Sequence, residues 1–161
     1  MTIDFHSHIY PDKIADKAAR NVGDFYSLKV SCDGTAGMLL EKGSAAGIDK
    51  YVVHSVAQLP SQVESINNFI SSMSASHPEF VGFGALHKDT PNPADEIGRI
   101  ISLGLQGVKL HPDVQKFEMD DCAMLEIYSM LEGSLPVLIH CGDYRTTYSH
   151  PARLARILDL F

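Results

Sequence analysis

Short apolar runs rich in β-branched residues alternate along this chain with longer stretches whose apolar residues recur every three or four positions. The short runs are Ile3–His8, Lys50–Val56, Phe80–Leu86, Gln106–His111 and Pro136–Cys141. Such alternation predicts parallel strands joined by crossover helices. The helical stretches carry their own boundaries. Thr35–Gly47 sets Met38, Leu39 and Leu40 near one side and ends in glycine. Ser61 and Glu64 are spaced as a capping box, after which Val63, Ile66, Phe69, Ile70 and Met73 repeat until His77 and Pro78 stop them. Asn92 and Pro93 open a segment striped by Ile97, Ile100 and Ile101 and closed by Gly104. Met119–Gly133 places Cys122, Leu125, Tyr128 and Leu131 on one face, which reads as core. Pro151 opens Ala152–Phe161, with Leu154, Ile157, Leu158 and Phe161 on one stripe. The loosest region, Asp12–Gly34, follows the first strand directly. It reads as a polar substrate loop holding a short helix at Lys13–Arg20.

Repeated β-then-α units fit either a closed (β/α)8 barrel or a five-stranded open parallel sheet. A nucleotide-binding open sheet begins with a glycine-rich turn after its first strand, and the residues after His8 contain none. The barrel is therefore the favoured α/β class. Eight units need ~200 residues or more, whereas this chain has 161 and ends in the helix after its fifth predicted strand. The expectation is one domain, 1–161, forming about five βα units of an incomplete barrel. Its two unpaired edges predict self-association into a homo-oligomer.

Thirteen basic against 20 acidic side chains leave a net charge of −7 without any basic run. This excludes nucleic acid and anionic membrane surfaces as main partners and leaves a small-molecule substrate. The opening residues lack the order of a secretory signal, so the chain reads as cytoplasmic. Cys32, Cys122 and Cys141 are odd in number and show no metal-binding spacing.

The histidines change the picture. His6 and His8 alternate with Phe5 and Ser7 on the first strand, so both rings, with Asp4, project to one face and can converge on one divalent ion. His54, His87, His111 and His140 fall at or just past the ends of the other strands, where barrel enzymes build their active sites. His140, at the tip of a buried strand, reads as a third metal ligand beside His6 and His8. His111 and Lys109 share one face of their strand and read as catalytic or substrate contacts. His54 and His87 read as pocket-lining or capping rings. In the loop after the fifth strand, Arg145 suits a substrate carboxylate and Tyr144 is a second substrate contact. Cys141 faces away from His140 by strand parity, which argues against a thiol nucleophile.

The segments Ile-Asp-Phe-His-Ser-His at Ile3–His8, Gly-Val-Lys-Leu-His-Pro at Gly107–Pro112 and Leu-Pro-Val-Leu-Ile-His-Cys-Gly at Leu135–Gly142 resemble the amidohydrolase superfamily, in its amidohydrolase-2 branch of metal-dependent hydrolases. The resemblance runs through the whole chain. It implies a distorted (β/α)8 barrel with one divalent ion, commonly zinc, on His6, His8 and His140. It also implies a strand-six histidine and a strand-eight aspartate serving as general base, both expected beyond Phe161. The implied chemistry is attack of metal-activated water on a small carbonyl substrate. Related barrels of the branch decarboxylate aromatic or unsaturated acids, which is the first alternative reading; the second is an inactive truncated fragment.

Overall fold

The computed structural model describes residues 1–161. Its strands are β1 (Ile3–His8), β2 (Lys50–His54), β3 (Phe80–Gly82), β4 (Gly84–Ala85), β5 (Val108–Leu110) and β6 (Val137–Ile139), all paired in parallel. The helices are α1 (Asp12–Tyr26), α2 (Ala36–Ala45), α3 (Val63–Ser76), α4 (Pro93–Ser102), the short α5 (Pro112–Gln115), α6 (Cys122–Leu131) and α7 (Pro151–Leu158).

The third expected strand is broken. β3 pairs with β2 and β4 with β5, and the change of partner falls at Phe83. Phe83 N–H donates to Val53 O at 2.9 Å, whereas Gly84 N–H donates to Gly107 O at 2.8 Å. Past the break, Asn67 of α3 takes the place of the lost neighbour. Its amide accepts from Ala85 N–H at 2.6 Å and donates to Ala85 O at 3.0 Å, so the edge of β4 that has lost β2 stays satisfied. Gly107 permits the crossover, because a Cβ there would sit 2.4 Å from the Phe83 ring.

The strands thus form one arc in sequence order, β1 to β6, with β1 and β6 each paired on one side only. A doubly wound open sheet reverses direction after its first strands. Sequential order is that of a barrel wall, and the arc is a partial barrel. Between arc and helices lies a core that includes Val53, Ile70, Leu86, Ile100, Leu110 and Met124.

Three local expectations are corrected. The loop Asp12–Gly34 holds a helix of 15 residues, α1, because Ala15, Ala19 and Gly23 give it a narrow buried stripe that a search for large apolar residues misses. Cys122 is exposed; the buried face of α6 is Met124, Ile127, Tyr128 and Leu131, since the helix begins only after Asp121, whose side chain accepts from Ala123 N–H. The Ser61–Glu64 box does not form, and Gln62 Oε1 instead accepts from the N–H groups of Gln58 and Leu59.

Candidate metal centre

The carboxyl ends of β1, β2, β5 and β6 carry the histidines to one rim of the arc. A β-bulge lies in β1 between Asp4 and Ser7, where three steps of β1 match two of β2. The extra residue re-aims the strand's last side chains. It turns the Asp4 carboxylate back to accept from His6 N–H at 3.0 Å. His6 Nε2 and His8 Nε2 then lie 3.2 Å apart. Four donors around zinc at ~2.0–2.1 Å stand roughly 3.3–3.4 Å from one another, so this spacing is already that of two ligands on one ion.

Two groups emerge at the rim, each with its donor atoms within 4.8 Å of one another: His6 with His8 and His54, and His111 with Asp113 and His140. Lys109 joins them. It is completely buried, its Nζ is 3.3 Å from His6 Nε2, and no carboxylate lies within ion-pair distance of it. Burial lowers its pKa to about 8, so it keeps most of its charge at neutral pH. The rings respond to burial and to this cation. Burial and then Lys109 hold His8 down to about 3, and burial, His140 and Lys109 hold His111 down to about 3. His6, His54 and His140 are lowered as well, with burial the main cause at each. All five are neutral imidazoles, the form that ligates metals.

Buried polar atoms without partners test whether an ion fits. His8 Nδ1, both ring nitrogens of His54 and Asp113 Oδ2 have no hydrogen bond. Native proteins leave few such groups, and an unpartnered imidazole lone pair in the same group as two Nε2 atoms at a tetrahedral-edge spacing is what a divalent cation would satisfy. The residues present fit the ion that the sequence implies.

In the second group, His111 and His140 stack at 4.0 Å between centroids with only 10° between planes. Asp113 Oδ2 lies 4.0 Å from His111 Nδ1 and 3.9 Å from His140 Nε2, while Thr146 donates to its other oxygen. Two parallel rings cannot both direct in-plane lone pairs at one ion between them, so His111 and His140 do not ligate a single ion lying between their faces. Sequence reasoning passed over Asp113. Its signal was the His-Pro-Asp spacing just after a strand that already carried Lys109 and His111.

The remaining expected site residues are spread. Tyr144 is 95% exposed, away from the histidines. Arg145 donates to both oxygens of Asp143, from Nε at 2.9 Å and Nη2 at 2.5 Å, and also to Phe25 O. Its guanidinium lies 4.4 Å from the Phe25 ring centroid and 5.0 Å from that of Tyr26. It is thereby committed to holding the end of α1 over the rim. His87 caps its own loop, with Nδ1 accepting from Asp89 N–H. Two cavities, one near α7 and one on the concave face near Met1, contain no histidine.

No protein-family model matches the chain, and no curated protein matches it in sequence. Solved structures match in fold. An amidohydrolase II structure superposes with a TM-score of 0.64 at 14% identity, covering 96% of this chain and 56% of its own. The chain carries part of a (β/α)8 barrel like those of these structures. A 4-oxalomesaconate hydratase from Rhodopseudomonas palustris matches with a TM-score of 0.59 at 23% identity, over 87% of this chain and 52% of its own. A dihydroxybenzoic acid decarboxylase from Polaromonas, with bound manganese and 2-nitroresorcinol, matches with a TM-score of 0.59 at 16% identity, over 98% and 52%. The chain spans about half the length of the solved structures it matches.

Proposed function

We propose that this chain serves a metal-dependent hydrolase of amidohydrolase type, acting on a small substrate with a carbonyl group. The observation that carries the reading is the pair of neutral imidazoles of His6, exposed, and His8, half-buried, with their Nε2 atoms 3.2 Å apart at the rim. His140 belongs to the same proposal as a ligand from β6; a charge placed on it is felt at both His6 and His8. Zinc is the proposed ion, since an all-imidazole donor set suits it, and a cytoplasmic location is proposed with it. No helix is long and apolar enough to cross a membrane.

A bound divalent ion would lower the pKa of water toward ~7 and polarise a carbonyl. The chain's own residues supply the rest. Lys109 presents a desolvated ammonium to a substrate oxygen. His111 exchanges a proton at Nε2, and Asp113, 4.0 Å from His111 Nδ1, stabilises the ring when it takes the charge. Arg145 acts by positioning, since its fork ties α1 to the loop after β6.

One observation favours a second reading, decarboxylation of a small acid. A buried lysine without any acidic neighbour lacks a counter-anion, and a substrate carboxylate would provide one. Metal analysis of the purified chain, followed by assays for carbon dioxide and for released amine or alcohol, tests both readings. A chain that binds no divalent ion under any loading condition is not a metalloenzyme.

A further inference from the structure

We propose that Tyr26 binds substrate: its hydroxyl donates to an oxygen of a small carboxylate seated at the rim. The inference rests on the metal-dependent reading above, and it names the acid group of that site's substrate and the residue that directs it. Tyr26 is the last residue of α1, and its position is fixed from several sides. The chain turns sharply after it, with Ser27 in the left-handed region at φ 54° and Leu28 N–H donating to Gly23 O at 2.8 Å. Gly23 is required by that turn, because a Cβ there would sit 2.7 Å from Leu28 O. Arg145 donates to Phe25 O, and its guanidinium lies 5.0 Å from the Tyr26 ring centroid. The phenol oxygen is 2.7 Å from His111 Nε2.

That last contact decides which of the two residues meets the substrate. His111 is 4% exposed and enclosed: His140 stacks on one face at 4.0 Å between centroids, Phe25 stands at right angles 6.2 Å away, and Val114 N–H points at Nδ1. Only Nε2 is left, and Tyr26 covers it. The half-buried phenol is the outer member of the pair. With Nδ1 accepting from Val114, the neutral ring carries its proton on Nε2 and gives it to the phenol oxygen. A hydroxyl that accepts in this way keeps its own hydrogen for another acceptor, and no group of the chain takes it. Burial, then Asp143 and Asp113, push the Tyr26 phenol up, so it stays protonated at neutral pH.

The surroundings favour an anionic acceptor. The Tyr26 ring lies 6.4 Å from that of His111 and 6.1 Å from that of His140, centroid to centroid. Lys109, buried without a carboxylate, disfavours protonation of both rings. Asp143 is neutralised by the Arg145 fork. The ammonium supplies charge and the phenol supplies direction, and a carboxylate uses both.

The test compares full-length wild type with Tyr26→Phe, both loaded with zinc, using sodium benzoate as the probe and titration calorimetry for its affinity. Phenylalanine keeps the ring beside Arg145 and removes only the hydroxyl. A hydrogen bond to a charged group is worth about tenfold or more in affinity, so benzoate should bind the variant at least ~10-fold more weakly. Zinc affinity by chelator competition and hydrogen exchange at 23–28 should match wild type, which a merely structural role of the hydroxyl would not allow. Nitrogen shifts of the histidines in labelled wild type should show His111 protonated at Nε2, a readout that depends on no variant. Four outcomes would overturn the assignment and leave the metal-dependent reading intact: equal benzoate affinity in the two proteins, no benzoate binding by zinc-loaded wild type, His111 protonated at Nδ1, or a loss of benzoate affinity that comes with weaker zinc binding or faster exchange at 23–28. Absence of zinc binding by wild type would overturn that reading, and this inference with it.

Discussion

Tyr26 and His111, 85 residues apart in the chain, meet with the phenol oxygen 2.7 Å from Nε2. His111 Nδ1 already accepts the N–H of Val114 at 3.4 Å, so in the neutral ring the proton sits on Nε2 and is donated to Tyr26. The phenolic hydrogen is left free to donate elsewhere. The end of α1 thus brings a directed hydroxyl to the rim, on a helix held there largely by Arg145.

Arg145→Lys keeps the charge and loses both the planar fork and the stacking on Phe25 and Tyr26. Backbone amides of 23–28 should then exchange with solvent faster, while those of β2 and β5 stay as in wild type. Unchanged protection of 23–28 by hydrogen-exchange mass spectrometry would show that α1 docks without Arg145.

The Arg145 guanidinium holds the Asp143 carboxyl well below the usual carboxylate range. A depressed folded-state pKa contributes stability that is fully present above the unfolded value of ~3.9 and disappears as pH falls through the folded value. Asp143→Asn should therefore melt below wild type by a constant margin at pH 6–8, and the margin should shrink as pH falls below about 4. A margin independent of pH down to the acid limit of folding would place the effect in packing instead of charge.

Gln115 links three strand ends. Its side-chain N–H groups donate to Ala57 O at 2.9 Å and Leu86 O at 2.7 Å, and its oxygen accepts from His111 N–H at 2.8 Å. Gln115→Ala leaves three buried backbone groups unpaired and should cost about 2–4 kcal/mol, or roughly 5–15 °C in melting temperature for a chain of this size. Gln115→Glu should fare no better, because it sets a carboxylate against two carbonyl oxygens. Calorimetry that finds either variant as stable as wild type would refute this account.

Lys109 is buried without a carboxylate, so its charge stabilises little in the folded chain. Lys109→Met should leave the metal-free melting temperature unchanged or raise it, and should abolish the protection that a small carboxylate such as benzoate gives against thermal unfolding. A drop of more than ~2 kcal/mol in Lys109→Met would mark the lysine as structural.

Phe5 is 60% exposed on the concave face, beside a cavity of about 520 Å³ lined by Ile3, Val52, Val81, Phe83 and Leu138. An apolar surface of this kind next to unpaired strand edges favours association. Light scattering should show concentration-dependent self-association of the wild type that Phe5→Lys reduces. Equal mass for both at all concentrations would remove the concave face as the contact.

Much of the architecture was legible in the residues alone. The short β-branched and apolar runs marked the strands, most plainly β2, β4 and β5, which are buried almost along their whole length. The histidines at strand ends marked the rim, since parity and chain position say where a strand's last side chains go. α1 was not legible as a long helix: its buried stripe is made of alanine and glycine, whose smallness allows close packing but carries little hydrophobic signal. The break at Phe83 depended on Asn67, a polar residue on a helix that becomes a strand's partner only after the two have packed.

By itself the sequence determined that neutral imidazoles would gather at one end of a parallel arc, because the alternation of side chains along a strand is local covalent geometry. Which imidazoles lie beside one another was decided by the tertiary structure. Strand register sets His54 against His8, a bulge turns His6 toward His8, and ring stacking draws His140 to His111 and Asp113. Register, bulges and stacking arise from contacts between segments far apart in the chain, and no pattern within one segment encodes them.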